Sequence, residues 1–145
     1  AGFSMDKIVE RLNMMREKLT IIFTLDTLDF AYLNGRISYL ASAISSLLKI
    51  KPIIILKDGT LSMTERVRTR HKSLDRVLEI VKERMGNQKV TMAVVHAADP
   101  VSANSIAEKV RQMFNLQELV ITDLSISVAA NLGPGAIGIV AIPDL

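Results

Sequence analysis

Apolar positions at the start of the chain recur at helical spacing. Ser4 is suited to an N-cap, and Ile8, Val9, Leu12, Met15 and Leu19 follow on one face, so the pattern predicts a first amphipathic helix. Residues 20–25 (TIIFTL) then read as a short buried strand. Leu28 to Leu33 reads as a helical turn closed by Asn34-Gly35, both of which tolerate the left-handed conformation. A second helix is predicted at once, with Ile37, Leu40, Ala41, Ile44, Leu47 and Leu48 on an apolar face and Ser38, Ser42, Ser45 and Ser46 towards another. Lys51-Pro52 ends it. The run IIIL at 53–56, the pair Asp58-Gly59 and LSMTERV at 61–67 form a hairpin signal.

Thr69 precedes a long helix with Leu74, Val77, Leu78, Val81 and Met85 inward, stopped by Gly86. VTMAVVHAA at 90–98 is a buried strand. Asp99 as N-cap and Pro100 at the first helical position open another helix, with Val101, Ile106, Val110 and Met113 as its inner face. Residues 118–123 and 137–142 supply two more strands around a short Ser125–Leu132 segment. About six strands, alternating helices and one hairpin, with no internal repeat, predict an α/β fold: a two-layer sandwich whose mixed sheet is covered by helices.

At 145 residues the chain fits one domain, 1–145, large enough to bury a core without staples. Having no cysteine, it has no disulfide, thiolate metal site or thiol nucleophile, and it suits a reducing compartment, so a cytoplasmic location is expected. Its only histidines, His71 and His96, have no ligand-like spacing, and neither a metal nor another cofactor is expected. The uncharged run 124–143 is long enough to raise a membrane span, but Gly133-Pro134-Gly135 interrupts it and Ser125, Ser127 and Asn131 would need partners in lipid. A buried turn between apolar elements is expected instead. The first residues carry both acidic and basic side chains, unlike a signal or transit sequence, and Ala-Gly-Phe-Ser leading straight into a helix reads as a piece of a longer protein.

Candidate chemistry is sparse. Asn34-Gly35-Arg36 sets a guanidinium before a helix start, where free backbone N–H groups favour an anion, and Ser38 adds a hydroxyl. The same residues also fit Arg36 pairing with Asp26, Asp29 or a carbonyl, the commoner use of an arginine beside a turn. Gly133-Pro134-Gly135 permits close approach of a ligand or of another stretch of the chain. Arg66, Arg68, Arg70, Lys72 and Arg76 crowd into eleven positions, yet the formal charge is only +3 and no aromatic or reading helix accompanies them. A solvated or partner-docking surface, with some arginines holding acids of the fold, is the better reading, and no nucleic-acid partner is expected. Asp26 with Asp29, and His96 with Asp99, have no nucleophile between them, so no catalytic set emerges.

The order Asn34-Gly35-Arg36-Ile37, Lys51-Pro52, Asp58-Gly59, Arg68-Thr69-Arg70-His71-Lys72 and Asn131-Leu132-Gly133-Pro134-Gly135 resembles the DegV family of fatty-acid-binding proteins. The resemblance covers the whole chain but only the C-terminal half of the family's usual length. It implies a C-terminal domain with a mixed sheet, which encloses one long-chain fatty acid together with an N-terminal domain absent from this chain. It further implies a non-enzymatic carrier that presents the carboxylate to a fatty acid kinase. Arg36, Ser38, Asn131, Gly133 and Gly135 are the ligand-binding positions it implies, with Asn131 standing where the family has a histidine. Asn can donate a hydrogen bond but carries no charge. Two other classes compete: a ligand-free interaction or oligomerisation module, since an exposed apolar wall favours dimers, and a phosphate-handling enzyme related to dihydroxyacetone kinase, which here lacks any P-loop.

Overall fold

The computed structural model describes residues 2–35 and 50–144. The predicted helix carrying Ile37 to Leu48, together with Arg36 and Ser38, lies outside them. The elements run α1 (Met5–Lys18), β1 (Thr20–Thr24), α2 (Asp29–Leu33), β2 (Lys51–Lys57), β3 (Thr60–Val67), α3 (Arg70–Met85), β4 (Lys89–His96), α4 (Pro100–Met113), β5 (Asn115–Asp123), α5 (Ile126–Leu132) and β6 (Ile137–Pro143). The strands make one six-stranded sheet in the order β3-β2-β1-β6-β4-β5. Among the described strands only β4 and β5 pair in parallel, joined by the crossover helix α4 that parallel neighbours need, so the mixed α/β sheet is as expected.

Local chemistry explains the boundaries. Ser4, Thr69 and Asp99 each accept a hydrogen bond from a backbone N–H in the first turn of the helix they open, satisfying groups that have no partner inside the helix. At the hairpin, Asp58 and Gly59 both take positive φ, 51° and 75°, the twist that matches paired strands. Gly86 closes α3 at φ 60°. At the end of α2 the left-handed residue is Gly35 alone, since Asn34 stays at φ −88°. The uncharged run 124–143 is α5, a glycine turn and β6, and no described helix is long and apolar enough to cross a membrane.

Alternation along the strands divides the core. Ile22, Ile53, Ile55, Val90, Met92, Val94, Ile137, Ile139 and Ala141 face α3 and α4, which contribute Val77, Leu78, Val81, Ile106 and Val110. The opposite face holds a smaller cluster of Phe23, Leu25, Leu28, Ala31, Ile54, Ala97 and Ala136, with Ala129 and Leu132 of α5 packed against it. Two inward assignments for α4 fail. Val101 is 81% exposed and Met113 36%, because Ala103, Ile106, Ala107 and Val110 form the inner i, i+3, i+4, i+7 line, and Phe114 closes it at 8%. The apolar face predicted for α1 exists, but α1 buries none of its residues.

Candidate functional site

The glycine turn sits where β6 enters the sheet. Gly135 donates to the Ala97 carbonyl at 2.7 Å, and Ala97 donates to the Ala136 carbonyl at 2.9 Å, clipping the turn to the end of β4. The neighbouring Ala98 takes φ +52°, a strained conformation for a residue with a Cβ. Gly133 has φ +81° and ψ 166°, a region almost reserved for glycine. A Cβ there would lie 2.3 Å from Cδ2 of Phe30, and one on Gly135 would lie 3.0 Å from the Asp26 Cβ. Both glycines therefore allow close approach of another stretch of the chain, the loop and helix that follow β1.

That approach brings two distant motifs together. The Asn34 amide donates to the Phe30 carbonyl at 2.9 Å, finishing α2, and to the Ala130 carbonyl at 3.0 Å, ninety-six residues away in sequence. Asn34-Gly35, the residues just before Arg36, is thus tied to the segment that holds Asn131, Gly133 and Gly135. Asn131 is half-buried, and its amide donates to the Ser127 carbonyl one turn back at 2.7 Å. Around this corner Tyr32 and Leu33 of α2 and Ile126 and Val128 of α5 are exposed apolar side chains, at 58%, 79%, 88% and 42%. Arg36 and Ser38 fall outside the described residues. Asp26, one of the acids considered for Arg36, is held by Lys51, whose ammonium donates to its carboxylate at 2.6 Å and to its backbone carbonyl at 2.5 Å.

The basic run is partly structural. Arg76 grips both oxygens of Glu65 at 2.8 Å through Nε and Nη2, while Nη1 reaches Glu79 at 3.0 Å and Glu83 at 2.9 Å. The hydrogen bonds from Arg76 hold the Glu65 carboxyl below its usual range, against a smaller upward push from burial. Arg70 donates to Asp99 at 3.0 Å. Burial pushes the Asp99 carboxyl up, but hydrogen bonds from Ser102 and from Arg70 outweigh it, and the group lies below its ordinary value. His96, 7% exposed, has Nδ1 3.2 Å from an Asp123 oxygen, off the geometry of a hydrogen bond. The sequence spacing of His96 with Asp99 thus resolves into two separate pairs. The contact of Asn34 with Ala130 has no local signature in the sequence. Among the described residues no three side chains of metal-ligating type come together.

The whole arrangement matches known proteins. A family model described as "Uncharacterised protein, DegV family" covers residues 1–144. DegV domain-containing proteins from Streptomyces coelicolor and Clostridium acetobutylicum are each 32% identical to this chain, across 97% of it and 50% and 51% of their own length. A crystal structure of a fatty acid binding DegV family protein from Streptococcus agalactiae superimposes with a TM-score of 0.88 at 28% identity, over 99% of this chain and 51% of that one. DegV from Bacillus subtilis, described as a fatty acid binding protein, does so at 0.80 and 28%, over 97% and 50%. The chain spans about half the length of these relatives, and its match along residues 1–144 makes it a member of the DegV family.

Proposed function

We propose that this chain is the C-terminal half of a fatty-acid carrier, which encloses one long-chain fatty acid together with an N-terminal domain and presents the carboxylate to a separate acyl-phosphorylating kinase. The carrier performs no chemistry of its own. The observation that carries this reading is the Asn34–Ala130 hydrogen bond, which puts the residues preceding Arg36 against the Asn131–Gly135 turn, the two corners from which the head group would be held. Support also comes from relatives of 28% identity that are described as fatty acid binding.

The physics divides the labour. Burying about 15 methylenes at ~0.8 kcal/mol each is worth up to about 12 kcal/mol before the costs of association, so the acyl chain supplies affinity. The carboxylate must be paired or it loses its hydration uncompensated, so Arg36, Ser38 and Asn131 set orientation and preference for an acid. Gly133 keeps the turn close to Phe30 of α2 and Gly135 keeps it close to Asp26 in the loop before α2, where a Cβ would push the corner open.

Native mass spectrometry with solvent extraction, on this chain and on the longest form of its parent polypeptide, tests the reading. A fatty acid carried by the parent and lost from the fragment is expected. A parent that purifies without lipid and takes up none from a fatty-acid mixture overturns it. Within a binding parent, Arg36→Ala should lower the preference for an acid over the matching alcohol, and unchanged discrimination removes Arg36 from the site.

A further inference from the structure

Helix α1 is capped, fourteen residues long, and buries nothing. Met5, Ile8, Leu12, Met15 and Leu19 recur with the alternating three- and four-residue spacing of a helix–helix seam. Four of the five are well exposed, Met5 at 73%, Leu12 at 58%, Ile8 at 41% and Leu19 at 39%. In that register the positions bordering the seam are Val9, Arg11, Arg16 and Lys18, so its charged border is wholly cationic. At its end, Leu19 opens into a recess of about 1060 Å³ whose rim adds Lys57 and Arg84 to Arg16 and Lys18, against Glu17 and Asp58.

We propose that α1 docks through this seam on an amphipathic helix with acidic borders, carried by the part of the parent polypeptide outside this chain. The inference rests on the two-part reading above and names the surface that joins the parts. Charge argues against a parallel second copy as the occupant, which would bring two Arg16–Lys18 ends side by side. Size argues the same way. A helix of this length spans about 21 Å, and one such crossing falls short of the roughly 1,200 Å² that a stable association of separate chains buries. A tethered occupant needs far less area, because its effective concentration is in the millimolar range. The relatives carry as much chain again beyond the matched region.

Hydrogen exchange of the 5–18 segment, compared between this chain and the longest parent form, decides the matter. The amides should exchange at least about tenfold more slowly in the parent. The double variant Arg16→Glu, Lys18→Glu in the parent should abolish most of that protection, as should raising salt from about 0.05 to about 1 M with the wild type. Equal exchange in the two forms overturns the docking. Protection that survives both charge reversal and salt overturns the acidic border. Protection in this chain that grows with concentration and tracks a dimeric mass assigns the seam to a second copy instead. Lipid retained in the same samples reports on the carrier reading separately: a parent that holds fatty acid while α1 exchanges freely sinks only this inference, and a protected α1 in a lipid-free parent sinks only the carrier.

Discussion

Gly133→Ala perturbs the turn at one atom. The backbone at φ +81° and ψ 166° belongs to a region that costs a residue with a Cβ about 1–3 kcal/mol. The new Cβ also meets the Phe30 ring at 2.3 Å from Cδ2 and 2.8 Å from Cγ, well inside contact distance. Phe30 is 36% exposed and can swing outward, so relieving that overlap should cost another 1–3 kcal/mol or so, the usual range for overpacking. Alanine stiffens the unfolded chain and returns about 0.4–1 kcal/mol. The expected net loss is about 1–6 kcal/mol, read as a fall in the urea midpoint at unchanged slope. Repeating the substitution in a Phe30→Ala background separates the two causes. Removing the ring should recover the overlap part, leaving a coupling of about 1–3 kcal/mol between the positions. A cost for Gly133→Ala that is the same with and without the ring would refute the close-approach account and leave only backbone strain.

Three further outcomes are expected. Glu65 and Asp99 are both held below the ordinary carboxyl range in the folded chain, so the stability they contribute is complete above their unfolded values near 4 and is lost as pH falls through the lower folded values. Glu65→Gln with Asp99→Asn should therefore be less stable than wild type at pH 7 and lose less on acidification, and parallel pH–stability curves would contradict this. Ala98→Gly relieves a positive φ at the cost of unfolded-state freedom and should raise stability by up to about 1 kcal/mol in urea titrations. Asn131→His in a lipid-binding parent should raise acid-over-alcohol preference several-fold below about pH 6.5, where imidazole gains charge, and a pH-independent ratio would remove position 131 from the head group.

Much of the fold was readable because it is written in short-range chemistry. Ser4, Thr69 and Asp99 marked helix starts through side-chain oxygens that reach the next turn's N–H groups, Gly86 marked an end, and Asp58-Gly59 marked the hairpin, each a matter of a few residues. What failed depends on partners distant in sequence. The inward phase of α4 turned on which of Met113 and Phe114 met the sheet, and Phe114, the larger apolar group, took the place. The same holds for the site. Gly133 and Gly135 announced a close approach, but not that Phe30 and Asp26 would be the neighbours. Nothing near Asn34 pointed to the Ala130 carbonyl.

The position of β6 gives the chain a particular assembly history. The sheet's two flanks, β3-β2-β1 on one side and β4-β5 on the other, have no backbone ladder between them except through β6, the last described strand to be synthesised. On a ribosome delivering roughly 5–20 residues per second, the strands of both flanks are synthesised before residues 137–143, the strand that joins them. A product truncated before β6 would therefore leave the inner edges of β1 and β4 without their ladder partner, two strand edges open to other chains.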